Sequence, residues 1–265
     1  MTIAVEPIRR MRGGAQAQLM CCNDEGYYVV KFQNNPQGTR ILANELLATR
    51  LAARLGLPVP SATVVEVGDR LVENTDDLVI QLARGRTKCR PGLQFGSRYP
   101  GSPAASVVFD FLPDEALRQV RNLGDFCGML AFDKWTCNTD GRQVIFFQTR
   151  GDTRYQAQMI DQGFCFNAAE WNFPDAPLRG LYARHLVYES VTGLDAFEPW
   201  LARVENFPDA ALEEAASEIP PDWYASDPEA LDRLLAQLAR RRSLVRDLIV
   251  SAWKSSARPF PYWRE

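Results

Sequence analysis

The chain has 265 residues, 46% of them hydrophobic and 24% charged, the proportions of an ordinary globular protein with enough apolar material for one large domain or two lobes around a cleft. Its net charge of -3 gives no general attraction to nucleic acid or to acidic membrane surfaces. The six cysteines contain no CxxC pair, the only histidine is His185, the N-terminus has no long apolar core, and no run approaches the roughly 18 apolar residues of a membrane span. These features argue against a zinc site and predict a cytoplasmic protein with reduced, mostly buried thiols.

In chain order, Gly13-Gly14-Ala15 precedes a strand over residues 16–22. Asn23-Asp24-Glu25-Gly26 is a turn signal, and 27–32 is a second strand, rich in aromatic and β-branched residues. Alternation puts Tyr27, Val29 and Lys31 on one face and Tyr28, Val30 and Phe32 on the other. Lys31 is then the one charge on an otherwise apolar strand, unless its stem simply carries it to water. Residues 39–55 read as a helix, stopped by Gly56 with Pro58 beyond. Ile41, Ala48, Leu51, Ala52 and Leu55 share a stripe on it, and Glu45 falls on that stripe. An acid on a packing face needs a partner, and Lys31 is the nearest in sequence. Asn44 also faces inward.

Residues 61–67 and 78–83 read as strands, with a polar, turn-like stretch at 69–77 between them. Residues 84–103, rich in Gly, Arg, Ser and Pro, read as irregular. A short strand at 107–112 leads to a helix starting at Pro113-Asp114-Glu115. The division between two lobes, 1–106 and 107–265, falls somewhere in 93–113. A helix over 123–135 has Leu123, Phe126, Leu130 and Ala131 as its apolar face. It runs into Asn138-Thr139-Asp140-Gly141-Arg142-Gln143.

Two strand-like runs follow, 144–148 and 155–160, joined by the turn formers Arg150-Gly151-Asp152. Such a pair folds back as an antiparallel hairpin, bringing Asp140, before it, close to Asp161, after it. Neighbouring carboxylates repel unless a cation or a proton sits between them. One carboxylate on magnesium and another receiving a hydroxyl proton is what phosphoryl transfer needs. A solvated hairpin with acidic ends is the plainer alternative. The aromatic segment Phe164, Phe166, Trp171 and Phe173 reads as core beneath the hairpin, and His185 as a partly buried histidine. Helices are expected at 197–204, 209–217 and 227–254, the last capped by Asp227 with Pro228 in its first turn. Arg240-Arg241-Arg242 reads as a solvated face.

Six segments resemble, in order, the HipA-like kinases: Gly13-Gly14-Ala15-Gln16, Val29-Val30-Lys31-Phe32, Asn44-Glu45-Leu46, Leu55-Gly56-Leu57-Pro58-Val59-Pro60, Asn138-Thr139-Asp140 and Ile160-Asp161-Gln162-Gly163. The match is to the short bacterial HipA-like kinase domain, distantly similar to phosphatidylinositol kinases, and runs from about Arg10 to the last helix. It implies an α+β, two-lobed protein-kinase-like fold. The N-terminal lobe would be small and mostly β with one helix, and the C-terminal lobe larger and mostly helical. ATP and Mg2+ would occupy the cleft. By resemblance, Gly13, Gly14, Ala15 and Gln16 form the loop over the phosphates, and Lys31, paired with Glu45, contacts phosphate. Asp140 is the catalytic aspartate and Asp161 holds the metal.

One departure is clear. The asparagine metal ligand expected five residues after Asp140 is Ile145, and Gln143 offers an amide oxygen in its stead. The implied function is transfer of the ATP γ-phosphate to Ser/Thr hydroxyls of a protein. The alternatives are a lipid or small-molecule phosphotransferase and a nucleotide-binding pseudokinase serving as an interaction module. No nucleic-acid or membrane partner is expected. A toxin role does not follow, since neither the extra N-terminal subdomain of full-length HipA toxins nor an antitoxin-like helix-turn-helix is visible.

Overall fold

A computed structural model describes residues 1–148, 151 and 153–264. The chain begins with β1 (Thr2–Arg10), β2 (Gln18–Cys22) and β3 (Tyr27–Lys31), followed by α1 (Arg40–Arg54) and β4 (Ala62–Val67). Next come the short α2 (Asp69–Glu73), a two-stranded hairpin of β5 (Val79–Leu82) and β6 (Gly85–Lys88), and β7 (Gly92–Arg98). Five of these strands close into a barrel in the order β1-β2-β3-β7-β4, sealed by parallel pairing of β1 with β4. The alternation in β3 sorts as expected. Tyr28, Val30 and Phe32 join Met20, Val65 and Val67 in the barrel core, while Val29 and Lys31 face a cavity on the other side.

Helix α1 packs across β7 and β4, and most of its residues are buried. It ends as its sequence requires. Gly56 takes φ 76°, and the Leu57 N–H reaches back to the Ala52 carbonyl at 3.0 Å. Beyond the barrel come β8 (Val108–Phe109), α3 (Asp114–Arg118), α4 (Asp125–Thr136), β9 (Gln143–Phe147) and β10 (Gln156–Ile160). The C-terminal helices are α5 (Trp200–Glu205), α6 (Asp209–Ser217), α7 (Pro228–Arg241) and α8 (Val245–Trp253). α5, α7 and α8 pack around α4, which is buried along nearly its whole length. The β9–β10 hairpin pairs antiparallel with Gln143 opposite Ile160, so its two ends meet as expected. Arg150 and Asp152, read as its turn formers, lie outside the described residues. Among the described residues no helix is long and apolar enough to cross a membrane.

The structure corrects several sequence expectations. The N-terminal residues, for which no strand was expected, form β1. Residues 69–77 contain α2, so this part of the chain has two helices rather than one. Residues 84–103, expected to be irregular, supply β6 and the barrel strand β7. Gly96 in β7 lies opposite Val30 and Thr63, and a Cβ there would fall 2.4 Å from Val65 Cγ2. Glycine here permits close approach inside a small barrel, although it counts against a strand by propensity. The expected helix over 227–254 is two helices separated by a 3-10 turn at Arg242–Leu244; its cap is as expected, with Asp227 accepting from Ala230 N–H at 2.9 Å.

The arginine run is not a wholly solvated face. Arg241 is buried, donates to the Lys134 and Trp135 carbonyls at the end of α4, and makes two 2.7 Å bonds to Asp175. A cation there satisfies carbonyls that the helix end leaves free.

Candidate active site

A cavity of about 470 Å³ opens between the barrel and the β9–β10 hairpin. Gly13, Gly14, Ala15, Gln16, Lys31, Glu45, Asp140, Gln143 and Asp161 all line it. These are all of the candidate site residues drawn from the sequence, and they come from five separate stretches.

Lys31 sits between two carboxylates. It is ion-paired with Glu45 and lies 2.7 Å from Asp161. Burial works against its charge, but Glu45 and Asp161 outweigh that and raise its pKa above the ordinary lysine range. Burial pushes the Glu45 carboxyl up to about 7, with Lys31 opposing it. Burial also acts to raise Asp161, but the Lys31 ammonium and its hydrogen bond prevail and hold that carboxyl below its usual value.

The expected Lys31–Glu45 pair is therefore present, and Glu45 does more than pair. Its two oxygens accept the backbone N–H groups of Gln162, at 3.0 Å, and Gly163, at 2.9 Å. The stripe position of Glu45 thus joins α1 to both β3 and the segment after β10.

That segment is held in an uncommon shape. Asp161 has φ 60°, a left-handed conformation that few residues other than glycine adopt. Asn44, beside Glu45, secures the next turns. Its Nδ2 donates to the Gly163, Cys165 and Ala168 carbonyls, and its Oδ1 accepts from Trp171 Nε1. Gly163 has no room for a side chain, because a Cβ would lie 2.7 Å from Ile41 Cγ2 and 3.2 Å from Glu45 Oε1. Gly163→Ala is expected to lower stability by about 1–3 kcal/mol through overpacking. Urea denaturation followed by tryptophan fluorescence checks this, and an unchanged midpoint would mean that α1 yields freely.

Asp140 is exposed and anchored at its base. Its backbone N–H donates to Asn138 Oδ1 at 3.1 Å, Oδ1 accepts Gly141 N–H at 2.8 Å, and Oδ2 accepts Gln143 Nε2 at 3.3 Å. In this state Gln143 presents its amide nitrogen, not its oxygen, to Asp140. Ile145 also lines the cavity, so an apolar side chain stands where an asparagine was expected.

Four other residues build this loop and were missed as such. Asp133, on α4, accepts from Asn138 Nδ2 and from both Nε and Nη2 of Arg142. Arg142 is buried and also donates to the Ile160 carbonyl and to Gln162 Oε1, clamping the two ends of the hairpin together. Thr139 donates from its backbone N–H and its hydroxyl to the Phe164 carbonyl, at 3.2 and 3.4 Å. A signal for Asp133 existed: it follows Phe126 and Leu130 at helical spacing, so it lies on the apolar face as Glu45 does.

The model of the HipA-like kinase family matches residues 4–249. No curated protein matches the chain in sequence. Among solved structures, the Golgi casein kinase with Mn/ADP bound is similar at 13% identity and a TM-score of 0.56, over 96% of this chain and 74% of that one. The Helicobacter pylori proinflammatory kinase CtkA is similar at 15% identity and a TM-score of 0.50, over 95% of this chain and 96% of that one. HipA of Shewanella oneidensis MR-1, in complex with HipB and operator DNA, is similar at 12% identity and a TM-score of 0.50, over 93% and 68%. At these identities the likeness is one of fold: a mixed α/β fold like that of kinases.

Proposed function

Since the chain belongs to the HipA-like kinase family, we propose that the cavity binds ATP and that the protein transfers the γ-phosphate to a hydroxyl, with Ser/Thr of a protein as acceptor. The observation that carries this reading is the placement of Lys31 between Glu45 and Asp161 in the cavity that Asp140 also lines. In this reading the barrel and α1 make an N-terminal lobe, with the division within 93–113.

The Gly13-Gly14-Ala15-Gln16 loop offers backbone N–H groups to phosphate oxygens. Lys31, held by Glu45, meets the charge that develops on the transferring group. Asp140 accepts the acceptor's proton as the acceptor oxygen–phosphorus bond forms and the bond to the ADP leaving oxygen breaks.

The site's chemistry fits magnesium. Asp161 supplies hard carboxylate oxygens, and no cysteine or histidine lines the cavity. Among the described residues no cluster of three or more His, Cys, Asp or Glu forms a metal cage. Magnesium needs none where one or two carboxylates and substrate phosphates hold it. Asp161 would hold the ion, with Gln143 as a second contact if its amide turns over. The ion would neutralise phosphate charge.

Mg-ATP is expected to raise the melting temperature, because a ligand of the folded state alone stabilises it by mass action. A thermal shift series flat up to millimolar Mg-ATP would rule out the nucleotide reading. One observation favours a second reading, a nucleotide-binding pseudokinase: Ile145 in the cavity wall. Incubation with labelled ATP separates the two. Label on protein supports the kinase, label only on an added lipid or metabolite moves the acceptor to that class, and binding without transfer supports the pseudokinase.

A further inference from the structure

The β5–β6 hairpin lies over one end of the barrel, with Leu78, Ile80 and Cys89 in the barrel core. Between this hairpin and β1 runs a second cavity, a groove of about 370 Å³. Arg9 and Arg10 of β1 and Arg86 of β6 line it, against a single carboxylate, Asp77. Gln18 lines it from within the barrel wall. Its place on β2, opposite Arg10 and Val30, puts it on the face that carries Met20 and Cys22 into the barrel core.

Gln18 is only 2% exposed, and its Nε2 has no hydrogen-bond partner. A buried donor without an acceptor is costly and rare in a folded protein, and it marks a place where an acceptor belongs. Nothing among the described residues bonds the side chains of Arg9 or Arg86, although both are exposed in the same groove. Arg10 is hydrogen-bonded to Gln16, whose amide in turn brackets the Gln81 backbone with bonds of 2.8 and 2.7 Å. The groove therefore adjoins the Gly13-Gly14-Ala15-Gln16 loop while lying outside the cleft.

We propose that this groove is a second anion site, which takes a phosphate group, free or as a monoester. Gln18 turns its amide out of the barrel interior, so that Nε2 donates to one phosphate oxygen at the base of the groove. The Arg9 and Arg86 guanidinium groups, planar forks matched to phosphate geometry, close on the others from its two sides. Asp77, on the rim, lowers the affinity that three guanidinium groups alone would give.

The test does not depend on the nucleotide reading of the cleft. Nitrogen-15-labelled full-length protein is titrated with inorganic phosphate at constant ionic strength and followed by NMR. Saturable shifts are expected at the Gln18 side-chain amide and at the backbone amides of Arg9 and Arg86. The Arg9→Ala/Arg86→Ala variant, altered only at exposed positions, should bind phosphate at least about tenfold more weakly, having lost two charge-assisted donors. Asp77→Asn should bind it more tightly. A parallel titration with glycerol 2-phosphate tells a monoester from the free ion by which binds better. Shifts reproduced by chloride, shifts confined to Gly13, Gly14 and Lys31, or equal affinity in the double arginine variant would each overturn the proposal.

Discussion

Asp140→Asn is expected to bind Mg-ATP as the wild type does and to transfer phosphate about 10²–10⁴-fold more slowly, the usual contribution of a positioned base. The amide keeps the size of the carboxylate and can still accept the Gly141 N–H, but it cannot take the acceptor's proton. Asp140 is exposed and pairs with no cation among the described residues, so the substitution should leave the melting temperature unchanged. Asp161→Asn makes the contrast. It removes a charge from Lys31 and from a hard cation that prefers carboxylate oxygen. Nucleotide binding in magnesium and transfer should both fall. Nucleotide affinity by calorimetry and transfer by label, measured on both variants, separate the two roles. Wild-type transfer by Asp140→Asn would sink the proposed mechanism. Equal loss of nucleotide binding in the two variants would mean that Asp140, too, holds the metal.

Asp133→Ala is expected to cost about 3–5 kcal/mol of stability, the penalty for leaving one charge of a buried pair without its partner. Asp133 and Arg142 are both buried, their side chains 0% and 1% exposed. Replacing both, as Asp133→Leu/Arg142→Met, should recover most of that stability, because well-packed apolar groups often match a buried ion pair. It should not recover transfer. Asn138 would lose the acceptor that fixes the Asp140 loop, and the Ile160 carbonyl and Gln162 would lose the clamp that places Asp161. Denaturant midpoints beside transfer rates test this. A loss below about 1 kcal/mol in Asp133→Ala would show that Arg142 finds another partner, or water, and that the pair is not what holds the loop.

Much of this protein is determined locally and can be read from the sequence. The 3.6-residue period of residues 39–55 places Glu45 on the packed side of α1, because a helix repeats its faces whatever surrounds it. The alternation in residues 27–32 sends Lys31 away from the barrel core for the same kind of reason. A hairpin between Asp140 and Asp161 brings its own ends together, so their convergence on one cavity needs no distant contact. The tertiary structure alone decides what depends on partners far along the chain. Gly96 sits in a barrel strand because Val65 leaves no room for a side chain. Arg241 is buried because the end of α4, more than 100 residues earlier, offers it two carbonyls. Asn44, polar on an apolar stripe, is satisfied by backbone 119 to 124 residues away. Lys31 meets Asp161 across 130 residues of sequence. Periodicity says which way a side chain faces, but what it meets there is set by the packing of elements whose order along the chain says little about their distance in space.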